Sequence, residues 1–393
     1  MERRLAGTLG HMPMRPCGVV FPSAASCMLP LDVPTESAAV SFHPTTARAL
    51  GIEIGDLTPG PANTLADVAG VAVGHETLSY GGVQTGVTAV RFHGGNPFRD
   101  KLPAAAHVLN GFGKSIGLLQ IDELGVLETP VVLTNTLSVG TAATALVRHM
   151  LDITPEIGAT TGTVNPVVME CNDGSWLNDI RGFHVEERHV RAALESACSD
   201  VVQGNVGAGT GMSCYGLAGG IGSASRRVRV SRYDYTLGVL TLCNMGRLPD
   251  LRIDGRPVGA ALAARIAAEA APPETGSIIV LIATDAPFDS RQLHRIATRA
   301  GAGIGRTGSH LGSGSGDIAL AVSTAETIPH VPGKTKVMTR RTLHEDAIDR
   351  FFRATIEATE EAILNALLAA EPRTGHEGRS RRALGEFAKL LTG

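Results

Sequence analysis

Hydrophobic positions along the chain change rhythm between residues 45 and 58. Before that point they follow no period and several prolines interrupt them, so residues 1–45 read as an extension, either disordered or a start assigned too early. From Thr58 onward, short apolar runs alternate with Gly, Asn and Pro, the rhythm of a strand-rich α/β chain. These runs predict strands over 86–92, 130–135, 165–171, 236–244, 277–284 and 317–323. Helices are expected in some of the gaps, over 141–150, 187–197, 259–270, 290–300 and 343–370. In the last of these, Ile348, Phe352, Ile356, Ile363 and Leu367 recur at helical spacing, while Glu360 and Glu361 fall mostly off that stripe. Such a helix is expected to lie as a layer on a sheet. Residues 46–393 are taken as a single domain, with 247–276, rich in Ala, Pro and charge, as an exposed connector inside it.

Composition narrows the function. Of 393 residues, 43% are hydrophobic and 19% charged, which is an ordinary globular balance. The net charge of −3 argues against a broad basic face for nucleic acid. No apolar run approaches the roughly 20 residues of a membrane-spanning helix. The stretch 17–30 superficially resembles a signal peptide, but Pro22 breaks it and no sustained apolar core follows, so a cytoplasmic location is expected. Six scattered cysteines without a C-x-x-C pair read as reduced thiols. The 47 glycines, about 12% against roughly 7% in average usage, imply many tight turns and close backbone approaches.

Two motifs match only on paper. Gly113-Lys-Ser115-Ile-Gly117 has the spacing of a nucleophile elbow, but the preceding stretch is glycine-broken and no partner histidine is evident. Gly303-Ile-Gly305-Arg-Thr-Gly308 has the dinucleotide spacing, but a helix rather than a strand is expected before it. The 13 histidines are spread singly, and neither a metal nor a cofactor is expected.

The connector runs directly into Gly276-Ser277-Ile-Ile-Val-Leu-Ile-Ala-Thr284, the most apolar strand of the chain. By pattern alone, Ser277 could simply begin a strand. Its alternative is an N-terminal nucleophile made by self-cleavage, in which Ser277 attacks the preceding carbonyl and water then frees a new α-amino group. Glycine helps because it accepts a strained backbone without a Cβ clash. The freed amine, with an ordinary pKa of about 7.7–8.0, could serve as base for the adjacent hydroxyl, and no histidine is needed.

Several ordered blocks favour that second reading. They are 58–75, Asn110-Gly-Phe-Gly-Lys-Ser115, Thr134-Asn-Thr-Leu-Ser-Val-Gly140, Glu170-Cys-Asn-Asp-Gly174 with Leu177-Asn-Asp179, 204–211, Gly276-Ser-Ile-Ile-Val and Ser313-Gly-Ser-Gly-Asp317. Spread over about 47–370, they resemble the L-aminopeptidase/D-esterase and β-peptidyl aminopeptidase family of the DmpA type. The resemblance implies an αββα sandwich similar to the N-terminal-nucleophile hydrolases, with different connectivity and shared with ornithine acetyltransferases. It implies cleavage between Gly276 and Ser277 into an α chain, 1–276, and a β chain, 277–393. It also implies a serine aminopeptidase that acts on small peptides, amides or esters and assembles as a homotetramer of αβ units. The positions matching the family's second serine and carboxylate are Ser315 and Asp317, the latter standing where some members have Glu. Asn244 matches the oxyanion asparagine. Where the family has a tyrosine, this chain has Trp176 and an apparent extra residue, Ser175; an indole N–H donates but cannot accept. The alternatives are an acyltransferase of the ornithine acetyltransferase kind, which by resemblance uses threonine, and an uncleaved, non-enzymatic relative.

Overall fold

The computed structural model describes residues 44–174, 176–266 and 276–391. Nearly all of the expected extension, 1–45, lies outside the described residues, as do Ser175, most of the connector's end and 267–270 of the helix expected over 259–270. Nine strands of at least five residues are described, in chain order β1 (Ala72–Tyr80), β2 (Val83–Arg91), β3 (Asp100–Gly111), β4 (Val131–Asn135), β5 (Val167–Cys171), β6 (Gly220–Val230), β7 (Tyr233–Asn244), β8 (Ser277–Thr284) and β9 (Gly316–Ser323). The principal helices are α1 (Leu118–Leu124), α2 (Val139–Ile153), α3 (Glu187–Glu195), α4 (Gly259–Ile266), α5 (Ser290–Thr298), α6 (Ala300–Arg306) and α7 (Ile348–Ala369).

Strands β1, β2, β4 and β5, in that order, make a four-stranded sheet. A larger sheet has the order β3, β9, β8, β7, β6, with short strands added beside β3. Pairs β4–β5 and β8–β9 are parallel, and the other pairs of these nine strands are antiparallel.

Side-chain alternation sorts the layers. From β8, Ile279, Leu281 and Ala283 join a core with Leu133, Val167 and Met169 of the smaller sheet. The other side of β8, Ile278, Val280 and Ile282, packs with Leu293 and Ile296 of α5 and Phe351, Ile363 and Leu367 of α7. Beyond the smaller sheet, Val87, Ala89, Val132 and Val168 meet Ala142 and Leu146 of α2 and Val190 and Leu194 of α3. The order is helix, sheet, sheet, helix, an αββα sandwich. A strand buried on both faces reads as an unbroken apolar run, which is why β8 stands out in the sequence.

The long C-terminal helix departs from the expected one-sided pattern. Glu357, Glu360 and Glu361 of α7 are all buried. Arg226 of β6, itself buried, donates to Glu357 Oε2 at 3.2 Å, to Glu361 Oε2 at 2.7 Å and to the Ile54 carbonyl at 2.6 Å. Glu360 faces Arg306 of α6 at 2.7 Å. These carboxylates sit against cations rather than water, so the polar side of the stripe is an internal ion cluster. The Gly303–Gly308 motif starts inside α6, which removes the strand–turn–helix context of a dinucleotide site. Ser115 does lie between a strand, β3, and a helix, α1, closer to the elbow context than the sequence suggests, but among the described residues its hydroxyl has no hydrogen-bond partner and hence no base.

Candidate active site

Strand β8 begins at Ser277 and β7 ends at Asn244, and the antiparallel register places these two residues directly opposite each other. Both therefore project from the same face of the sheet, the one carrying Leu242 and Ile279 toward the inter-sheet core. Gly276 packs against the end of β7: a Cβ built there would lie 1.8 Å from the Asn244 carbonyl oxygen. Only glycine fits at that place without moving backbone.

The other side of Ser277 is built by β9 and the glycine-rich turn before it. The backbone N–H of Gly316 donates to Ser277 Oγ at 3.0 Å. Ser315 Oγ donates to Asp317 Oδ1 at 2.5 Å, and the N–H of Ile278 donates to the same carboxylate oxygen at 3.2 Å. A bulge between Asp317 and Ile318 interrupts the ladder to β3 at this point. Asn110 Nδ2 bridges the carbonyls of Gly312 and Ser315 at 2.8 and 2.6 Å and so holds the turn in shape. Ser277, Ser315, Asp317 and Asn244 are all buried. Four of the expected site residues are thus brought together around the first residue of β8.

Asn244 is oriented from two directions. Its Oδ1 accepts from the Ser213 N–H at 2.9 Å, and its Nδ2 donates to the Asn172 carbonyl at 2.8 Å. An amide nitrogen has two protons, so one remains available for an oxygen developing charge beside Ser277. Trp176 is placed differently. Its Nε1–H donates to the Ser380 carbonyl at 3.0 Å, and its ring stacks on the Arg381 guanidinium 4.0 Å away. The indole's single donor is directed at a hairpin rather than at Ser277.

Two further acidic residues come from the block 170–174. Glu170 is buried, accepts from the Lys114 N–H at 2.8 Å and also accepts from Thr136 Oγ1. A Cβ at Gly113 would lie 3.5 Å from Glu170 Oε1 and 3.6 Å from Gly316 Cα, so this carboxylate lies beside the turn that touches Ser277. Glu170 has no role by sequence pattern alone, where its one signal is a lone Glu near the end of an apolar strand, Val-Val-Met-Glu-Cys. Asp173 is fully buried beside Thr85 and Asn178, and burial pushes its carboxyl up to about 7.

Residues 63–381 match the model of Peptidase family S58. The chain is 41% identical over 364 residues to the beta-peptidyl aminopeptidase BapA of Sphingosinicella microcystinivorans, covering 86% of this chain and 89% of that one. It is similar in structure to a Burkholderia sp. beta-aminopeptidase, with a TM-score of 0.81 and 39% identity over 88% of this chain and 98% of the other. It is also similar to an L-aminopeptidase D-Ala-esterase/amidase from Ochrobactrum anthropi, described as a prototype for the serine aminopeptidases and a variant of the Ntn hydrolase fold. There the TM-score is 0.80 and the identity 35%, over 88% of this chain and 97% of that one.

Proposed function

The chain belongs to peptidase family S58, and from that premise we propose that it is a serine aminopeptidase that makes its own nucleophile at Ser277. The observation that carries the assignment of the site is the hydrogen bond from the Gly316 N–H to Ser277 Oγ, made where Asn244 faces Ser277 across the ladder and Asp317 accepts from both Ser315 Oγ and the N–H of Ile278.

In the maturation step, Ser277 Oγ attacks the Gly276 carbonyl carbon, the peptide C–N bond breaks, and an ester forms while the Ser277 nitrogen becomes an amine. Water hydrolyses the ester, leaving a Gly276 carboxylate and a free Ser277. The products are an α chain of 276 residues and a β chain of 393 − 276 = 117. In the peptidase step the new amine takes the Oγ proton as Oγ attacks the substrate carbonyl. The negative oxygen is received by Asn244 Nδ2, a preorganised donor in a buried site. The proton passes to the departing amine, and water then releases the acyl group. Ser315 and Asp317 steady the nucleophile and its amine, and Glu170 offers a buried carboxylate to the substrate's terminal ammonium.

Small peptides, amides and esters are the substrates this mechanism takes, and the names of the relatives favour aminoacyl and β-aminoacyl groups over acyl transfer. A cytoplasmic location fits the sequence, and among the described residues no helix is long and apolar enough to cross a membrane. Assembly as a homotetramer of αβ units belongs to the same reading, and the mass of the matured protein in solution tests it.

Intact-mass spectrometry of the purified protein beside Ser277→Ala tests the whole reading. Two fragments from the wild type, the smaller beginning at Ser277, together with a single full-length variant are expected; an uncut wild type overturns the mechanism. A screen of aminoacyl amides against β-dipeptides then separates the acyl classes.

A further inference from the structure

A short hairpin near the C-terminus, made of Arg373–Thr374 and Ser380–Arg381, places Arg373 directly opposite Arg381. Like charges in that position are unfavourable without an anion to screen them. The Arg381 guanidinium lies 4.0 Å from the Trp176 ring centre, and the ring is itself fixed by its bond to the Ser380 carbonyl. Arg381 Nε donates to Ser213 Oγ at 3.1 Å. The backbone N–H of the same serine donates to Asn244 Oδ1 at 2.9 Å. Two hydrogen bonds thus connect this arginine to the residue facing Ser277.

Its terminal nitrogens have no acceptor among the described residues. The flanking arginines differ, since Arg379 pairs with Glu377 and Arg382 with Glu386. Arg381 is half-buried, and loss of solvent brings its guanidinium down to about 10, still protonated at neutral pH. A partly desolvated cation without a counter-ion is costly, and it is kept flat and pointed by a ring and a hydroxyl. Such an arginine is preorganised for a planar anion.

An aminopeptidase substrate carries an ammonium on its acyl side, so a carboxylate that it offers beyond the scissile bond lies on the leaving group. Resting on the aminopeptidase reading of Ser277, we propose that Arg381, held against Trp176, binds a carboxylate of the residue released from the substrate, making the enzyme selective for short peptides whose leaving residue carries a carboxylate. A dipeptide supplies that carboxylate at its C-terminus, and a leaving aspartyl amide supplies it from the side chain.

The test uses the matured enzyme and three substrates sharing one acyl residue: Xaa-Ala, Xaa-Ala-NH2 and Xaa-Asp-NH2. The expected result is a kcat/KM for Xaa-Ala or Xaa-Asp-NH2 roughly ten- to a hundredfold above that for Xaa-Ala-NH2, the range of charge-assisted hydrogen bonds. Preference for the first marks the terminal carboxylate, and preference for the second marks the side chain. Arg381→Met should bring that ratio toward one, and Arg381→Lys should keep part of it. Completed cleavage at Ser277 certifies that each variant has folded. A wild-type ratio near one overturns the proposal whether or not the variants mature, as does an unchanged ratio in mature Arg381→Met. A matured enzyme that cleaves none of the three overturns the aminopeptidase reading itself, a distinct failure.

Discussion

Asn244 and Ser277 end and begin adjacent antiparallel strands and face each other across the ladder, so the proposed nucleophile and the proposed donor to its oxyanion share one face of one sheet. Rigid strands rather than loops hold both groups, and the Ser213 and Asn172 backbones fix the rotation of the amide. Replacing Asn244 with Ala removes this donor and nothing of the nucleophile. The expected outcome is a fall in kcat of about 100- to 1,000-fold for enzyme that has matured, as for other single oxyanion donors. Steady-state kinetics on the processed fraction check it, and a loss confined to KM would reassign Asn244 to ground-state binding.

The same pair of strands constrains the residue before the nucleophile. A methyl group at Gly276 would sit 1.8 Å from the Asn244 carbonyl oxygen, far inside van der Waals contact. Gly276→Ala must therefore displace the carbonyl that Ser277 attacks. Full-length chain should accumulate in time courses of fresh protein, with slow or no conversion. Cleavage at the wild-type rate would show that the carbonyl reaches Ser277 from a different backbone path.

Sequence alone reveals the strands that are buried on both faces, such as β8, because every position is apolar. Strand β3, Asp-Lys-Leu-Pro-Ala-Ala-Ala-His-Val-Leu-Asn-Gly, was missed because alanine fills a crowded layer without a strand signature. Strand β6 was missed for a related reason. It opens Gly-Ile-Gly-Ser-Ala-Ser, small residues required because the α7 backbone comes so near that a Cβ at Gly222 would lie 1.9 Å from the Ala362 carbonyl. The site divides similarly. Ser277 announces itself by standing at the head of the apolar strand, whereas Ser315 and Asp317, 38 and 40 residues later, come from resemblance because only a parallel pairing of β8 with β9 brings them alongside. The course of the Trp176 donor depends on a two-residue strand more than 200 positions away, which no local pattern encodes.

Buried charge in α7 gives a stability prediction independent of the active site. Arg226 supplies the cation between Glu357 and Glu361, and its removal leaves two carboxylates in the core with their compensation reduced. Arg226→Met is expected to cost about 3–5 kcal/mol, the range for breaking a buried pair on one side. Denaturant unfolding of matured protein measures it. The triple change Arg226→Met, Glu357→Gln, Glu361→Gln should recover much of the loss, and failure to recover would place the cost in packing of the arginine stem rather than in charge.

Asp173 ties the pH dependence of stability to the neighbourhood of the site. Burial lifts its carboxyl from the ordinary 3.8 to about 7, so the folded protein holds this proton after the unfolded chain has released it. The stability associated with the group is full below about 3.8 and is lost as pH rises through about 7. Asp173→Asn imitates the protonated form, keeps an oxygen for the bond from Asn178 Nδ2, now 2.9 Å, and does not titrate. Its stability relative to wild type should therefore improve from about pH 4 to about pH 7 and level off above that, read by unfolding midpoints from pH 4 to pH 8. Parallel pH curves for the two proteins would mean that Asp173 is ionised in the fold, with Thr85 and Asn178 offsetting its burial.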